Sequence, residues 1–166
     1  MKLYLLRHGI AVERGAPEFK DDGLRPLTSE GVKKMKKIAK GMKAVDLEFD
    51  FILSSPLIRA KQTAEIVTKA LGLEKKLKIE KALSAEERPE AILEKIEQSY
   101  KNASSLLLVG HEPYLTQFIS LLLSGDQKIR INLKKGGLCK LTLDKISAPP
   151  AATLNWLLTP GQLEKI

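Results

Sequence analysis

The stretch "KLYLLRHG", residues 2–9, is an apolar run that ends in an arginine and a histidine side by side. Leu3, Leu5 and Leu6 read as a buried strand. A guanidinium at the end of such a strand stays charged and needs an anion or a carboxylate beside it. The chain has two histidines, His8 and His111, and the second closes another apolar run, "SLLLVGHEP", residues 105–113. Two strands that each finish in a histidine set the architecture and point to where its chemistry lies.

Working outward, a polar loop containing Gly and Pro fills residues 9–27. Thr28 or Ser29 caps a helix reaching about Lys43, with Val32, Met35, Ile38, Ala39 and Met42 at helical spacing. "DFILSS" is a second strand. Ser55 and Pro56 are expected as N-cap and first residue of a helix that runs through Leu71 and stops at Gly72. "KLKIE" reads as a short polar strand near a sheet edge. Pro89 starts a third helix, "SLLLVG" is a strand buried on both faces, and a fourth helix runs from Pro113 to about Leu123. The tail changes character: "KIRINL", "GLCKLTLD" and "TLNWLLT" are expected as three strands. Strands alternating with helices imply a three-layer α/β/α fold, with a mostly parallel central sheet and antiparallel strands at its C-terminal end.

The 166 residues fit one domain, 1–166, with a sizeable core. A composition of 43% hydrophobic and 29% charged residues excludes a disordered chain, and no apolar stretch has the length of a membrane span. Cys139, the only cysteine, has no partner for an internal disulfide, which fits a cytoplasmic location. The net charge of +8 comes mostly from lysines on helical faces such as "VKKMKKIAKGMK". Aromatic residues make up 5%, too few for a platform on which bases stack, so no nucleic-acid partner is expected.

In open α/β sheets, ligands bind beyond the carboxyl ends of the strands. Arg7 and His8 end the first strand, Arg59 lies just past the second in "SSPLIRA", and His111 ends the "SLLLV" strand. If these strands are parallel neighbours, the four side chains converge. Two guanidiniums and two imidazoles around one point describe a phosphate site: the arginine fork matches phosphoryl oxygens, and a neutral imidazole is a nucleophile toward phosphorus. Metal is not expected. Glu13 and Glu112 do not complete a ligand spacing with the histidines, and two arginines repel a cation.

These residues resemble the histidine phosphatase superfamily, also called phosphoglycerate-mutase-like. "LLRHG", "LTSEG", "ILSSPLIRAKQTAEIV" and "LLLVGHEP" occur in the family's order. "RHGIA", "RPLTSEG" and the small size are most similar to its SixA branch of phosphohistidine phosphatases. The resemblance implies His8 as nucleophile forming a phosphohistidine enzyme, with Arg7, Arg59 and His111 on the transferring group and no cofactor. Arg25, in "RPLTSEG", joins them as a candidate for substrate binding. Relatives that cleave phosphate esters carry a carboxylate to protonate the leaving group. The matching stretch here, "ALSAEERPEAIL", offers Glu86 and Glu87, which equally read as solvated charges before a helix. An asparagine found in relatives a few residues past the first histidine is absent, and Glu13 lies in that area. Phosphohistidine leaves as imidazole, for which no strong acid is needed. The implied substrate is therefore a phosphorylated protein such as a histidine phosphotransfer domain. A small phosphate ester, or phospho-binding without turnover, is the alternative.

Overall fold

The alternation read from the sequence takes shape as six strands in the order β3-β2-β4-β1-β5-β6. The computed structural model describes residues 1–144, 146, 149 and 151–166. β1 (Lys2–Arg7), β2 (Phe51–Ser54), β3 (Leu77–Ile79) and β4 (Ser105–Gly110) are parallel, while β5 (Leu138–Leu143) runs antiparallel to β1 and β6 (Ala152–Leu158) antiparallel to β5. Parallel neighbours need crossovers, and the helices supply them: α1 (Ser29–Ala44), α2 (Ile58–Leu71), α3 (Glu90–Ser99) and α4 (Tyr114–Ser124), with a short α5 (Pro160–Leu163) at the end.

β4 is buried along its whole length, and its side chains alternate between two cores. Leu106 and Leu108 join Leu3 and Leu5 in a cluster with Ile92 and Ile96 of α3 and Leu115 and Phe118 of α4. Leu107 and Val109 join Tyr4 and Leu6 in a second cluster with Met35, Ile38 and Met42 of α1 and Ala60, Ala64 and Val67 of α2. Helices thus cover both faces, and the three-layer fold is realised. No helix among the described residues is long and apolar enough to cross a membrane.

Thr28 caps α1, its hydroxyl accepting from the Gly31 N–H at 2.9 Å. The same helix lies against main chain at two points. A Cβ on Gly31 would stand 2.0 Å from the Ile10 carbonyl oxygen, and one on Gly41 would stand 1.9 Å from that of Leu163. Only glycine permits this approach, which fixes α1 over the loop that leaves β1.

Two expectations fail. "KIRINL", residues 128–133, is not a strand. Its main chain is bound to side chains instead of a ladder: the Ile129 N–H donates to Ser120 Oγ at 2.9 Å, and the Leu133 carbonyl accepts from Arg7. Ser55 and Pro56 also do not open α2. The Ser55 N–H bonds the Val109 carbonyl at 2.9 Å, which holds Ser55 extended beyond β2, and the helix begins at Ile58 with Leu57 as N-cap.

Candidate active site

β1 and β4 end level, Arg7 opposite Gly110, and Ser54 of β2 pairs with Val109. His8 and His111, each one residue past its strand, are therefore neighbours. Arg59 stands in the first turn of α2, so its side chain reaches the same place. One cavity of about 270 Å³ is lined by Arg7, His8, Arg59 and His111 together with Glu13, Arg14, Arg25, Glu112 and Lys135. The four residues singled out from the sequence meet there, and so does Arg25. Glu86 is exposed and Glu87 half-buried in the turn before α3, and neither lines the cavity.

His8 is held as a neutral base. Its N–H bonds the Gly110 carbonyl at 2.9 Å, and the Gly9 N–H donates to Thr63 Oγ1 at 3.1 Å. The ring's Nδ1 lies 2.7 Å from the Gly9 carbonyl, an acceptor, which assigns the proton to Nδ1 and leaves the Nε2 lone pair bare. Burial, with the charges of Arg59 and Arg7 adding to it, pushes its pKa down to about 3. His111 is only 2% exposed and donates its Nε2–H to the Leu83 carbonyl at 3.0 Å. Tyr114 fixes that turn through a 2.5 Å bond from its hydroxyl to the Ala82 carbonyl. Burial again holds the His111 imidazole below its ordinary value.

The arginines are anchored through their terminal nitrogens. Arg7 donates one terminal N–H to the Leu133 carbonyl at 2.9 Å. Arg59, 3% exposed, donates both terminal nitrogens to Asp22, at 2.7 Å to its carbonyl and 2.9 Å to Oδ2. The Nε–H of each is buried without a hydrogen-bond partner among the described residues. Asp22 also takes Arg14 at 3.1 Å and Arg25 at 2.8 Å. Burial alone would raise the Asp22 carboxyl, but the bonds from Arg25 and Arg14 and the charge of Arg59 outweigh it and hold it low. A single carboxylate thus positions three guanidiniums and stays ionised.

The sequence reading missed Asp22, Arg14 and Thr63. Asp22 and Arg14 lie in an aperiodic loop, but arginine is scarce in this lysine-rich chain, six in all, and four of the six line this cavity. That scarcity was the available signal for Arg14. Among the described residues no group of three or more His, Cys, Asp or Glu side chains could hold a metal ion. Cys139 is buried far from ionisation, its thiol pushed up to about 12.

Residues 3–84 match the family model of the histidine phosphatase superfamily (branch 1). An uncharacterized protein of Picosynechococcus is 37% identical over 150 residues, 85% of this chain and 84% of that one. Phosphohistidine phosphatase SixA of Escherichia coli K12 is 27% identical over 173 residues, 99% of this chain and 97% of its own. The solved structure of the protein histidine phosphatase SixA complexed with tungstate superposes with a TM-score of 0.82 at 25% identity, covering 98% of this chain and 99% of that one.

Proposed function

The chain belongs to the histidine phosphatase superfamily, and we propose that it hydrolyses phosphohistidine on a protein through a phosphorylated His8. That it is a SixA-like phosphatase is the footing, and the mechanism and substrate are the proposal. One observation carries it: two buried guanidinium Nε–H groups without partners stand beside a neutral imidazole whose Nε2 is bare. Buried charged donors left unpaired are costly, so a site keeps them only for a ligand that takes them up. Tungstate, a tetrahedral oxyanion, accompanies the related SixA structure, which supports the same ligand class for this chain.

In this reading the phosphoryl oxygens accept from Arg7 and Arg59, Arg25 adds positive field, and the neutral His111, its Nε2–H held by the Leu83 carbonyl, walls the site. His8 Nε2 attacks phosphorus in line, and the bond to the leaving group breaks. Water then attacks the phosphorylated His8 and frees phosphate. Phosphoryl transfer asks mainly for positioning and charge stabilisation, which fixed arginines provide without reorganising. Exposed Glu13, Arg14 and Lys135 form the rim. A phosphorylated side chain, as on a histidine phosphotransfer domain, can therefore enter from solvent.

The test compares phosphate release from a phosphohistidine-bearing phosphotransfer domain with release from phosphoserine and other small esters, all in excess chelator. We expect the protein substrate to give the highest kcat/KM. His8→Ala should lose at least ~1,000-fold with its thermal melt unchanged. Faster turnover of the esters would move the assignment to a small-ester phosphatase, and His8→Ala retaining more than a few hundredths of the rate would end the covalent mechanism.

A further inference from the structure

We propose that Lys135 is a specificity-determining residue, whose ammonium pairs with an acidic side chain lying beside the phosphorylated residue on the partner protein. The inference rests on the phosphoprotein reading above and names the chemistry of that protein's surface around the phosphoryl group.

Lys135 sits in the turn at residues 134–137, just before β5, and lines the cavity with Arg7 and His8. The turn closes on itself, the Gly137 N–H donating to the Lys134 carbonyl at 2.7 Å, and it is stapled to the end of β1. The Gly136 N–H donates to the Arg7 and His8 carbonyls at 3.0 and 3.2 Å, and the Arg7 N–H donates to the Gly137 carbonyl at 3.1 Å. The Arg7 side chain adds its bond to the Leu133 carbonyl at 2.9 Å. Gly136 has a φ of +79°, and a Cβ there would stand 2.7 Å from Ile38 Cδ1, so only glycine serves. The main chain therefore presents Lys135 at a fixed place beside the nucleophile.

Lys135 is exposed, and no carboxylate among the described residues forms an ion pair with it. The other charges of the cavity are answered. Asp22 takes Arg14, Arg25 and Arg59, and Glu13 and Arg14, consecutive in the loop that leaves β1, put opposite charges side by side on the rim. In the reading above, Arg7 and Arg59 also meet the charge of the phosphoryl group. Lys135 is then the rim cation left for a second anion. A phosphorylated side chain that enters the cavity brings its own neighbours against this rim, and an Asp or Glu among them meets the ammonium. Lysine, a compact charge on a flexible stem, accepts a carboxylate from several directions. Such complementarity at a rim favours the right partner and speeds its encounter.

The experiment measures kcat/KM at low ionic strength on phosphohistidine and phosphoserine peptides, each made with Asp and Glu or with Asn and Gln flanking the phosphorylated residue. The proteins are the parent, Lys135→Ala, Lys135→Glu and Lys135→Arg, with melting curves to check the fold. We expect the parent to favour the acidic flank about 3- to 5-fold, the size of an exposed ion pair. That preference should vanish in Lys135→Ala, reverse in Lys135→Glu, persist in Lys135→Arg, and fade as salt is raised. No preference in the parent, or one that survives Lys135→Ala, would overturn the proposal. So would an equal loss on every peptide in Lys135→Ala, the mark of a lysine that only holds the transferred group or supports the turn. The substrate reading is judged separately. Faster turnover of the phosphoserine peptides would end it, while the preference for acidic over neutral flanks would still decide the role of Lys135.

Discussion

The two ends of the parallel strands carry charge in different ways. At their amino ends lies the larger hollow, about 750 Å³, with Lys2, Lys43, Lys76, Asp46, Glu48 and Asp50 on its walls. At their carboxyl ends lies the smaller cavity of about 270 Å³ with its four arginines and two histidines. In the large hollow, Lys76 and Asp50 are used by the main chain. Lys76 Nζ donates to the Phe49 carbonyl at 2.7 Å, and Asp50 Oδ2 accepts from the Ser104 and Ser105 N–H groups at 2.6 and 3.0 Å. In the small cavity, Arg7, Arg59 and Glu112 each keep a buried polar atom unbonded among the described residues. Size does not mark the site. Unspent buried polarity gathers there: the fourth such atom among the described residues, Glu164 Oε1, lies elsewhere and has Lys34 Nζ at 3.7 Å.

The widest separation between the two ends should appear in turnover. Under the proposed mechanism Arg59→Ala removes a fixed donor to the phosphoryl group and should slow phosphate release about 100- to 1,000-fold. Lys76→Met at the other end should leave the rate within about 2-fold, since it gives up only a part-buried bond to the Phe49 carbonyl, remote from the cavity. Steady-state kinetics on one substrate checks both, and equal losses would erase the distinction.

A second contrast is acid sensitivity. His8 has an ordinary value of 6.5 and is held at about 3 in the folded protein. Above 6.5 the ring is neutral in both states. Below it the unfolded chain takes up a proton that the folded chain refuses until about 3, so stability is lost as pH falls through that window. The slope from this one group reaches about 1.4 kcal/mol per pH unit. Urea unfolding between pH 7 and 4 should show it, and His8→Asn should flatten it. An unchanged slope in that variant would mean the ring is not held neutral.

The smallest effect belongs to Asp50. Asp50→Ala should cost about 1 kcal/mol of unfolding free energy, since it frees the exposed Ser104 N–H and the part-buried Ser105 N–H, and should leave kcat alone. A fall in kcat would show that the amino end takes part in the reaction.

Period and punctuation made most of the fold legible. "SLLLVG" has no alternation because both its faces are covered, and α1 announces itself by Met35, Ile38 and Met42 at helical spacing. Residues 128–133 misled because apolar Ile129, Ile131 and Leu133 alternate as in a strand, while their main-chain partners are Ser120 and Arg7, distant in sequence. Ser55–Pro56 misled for a related reason: a capping signal yields when a sheet neighbour claims the same N–H. Of the cavity, the groups at strand ends were readable because topology places them. Asp22, Arg14 and Thr63 were not, since each acts through a loop-borne or cross-element bond that has no period.

Under the proposed covalent mechanism, the bond between His8 Nδ1 and the Gly9 carbonyl would also set regiochemistry. With Nδ1 committed to the main chain, the only ring atom left to carry phosphorus is Nε2, so the covalent enzyme would be the 3-phosphohistidine isomer and never the 1-isomer. That isomer is fixed on the enzyme alone. A substrate phosphorylated at either nitrogen would converge on the same intermediate, because the identity of the donor atom is lost when the first bond breaks.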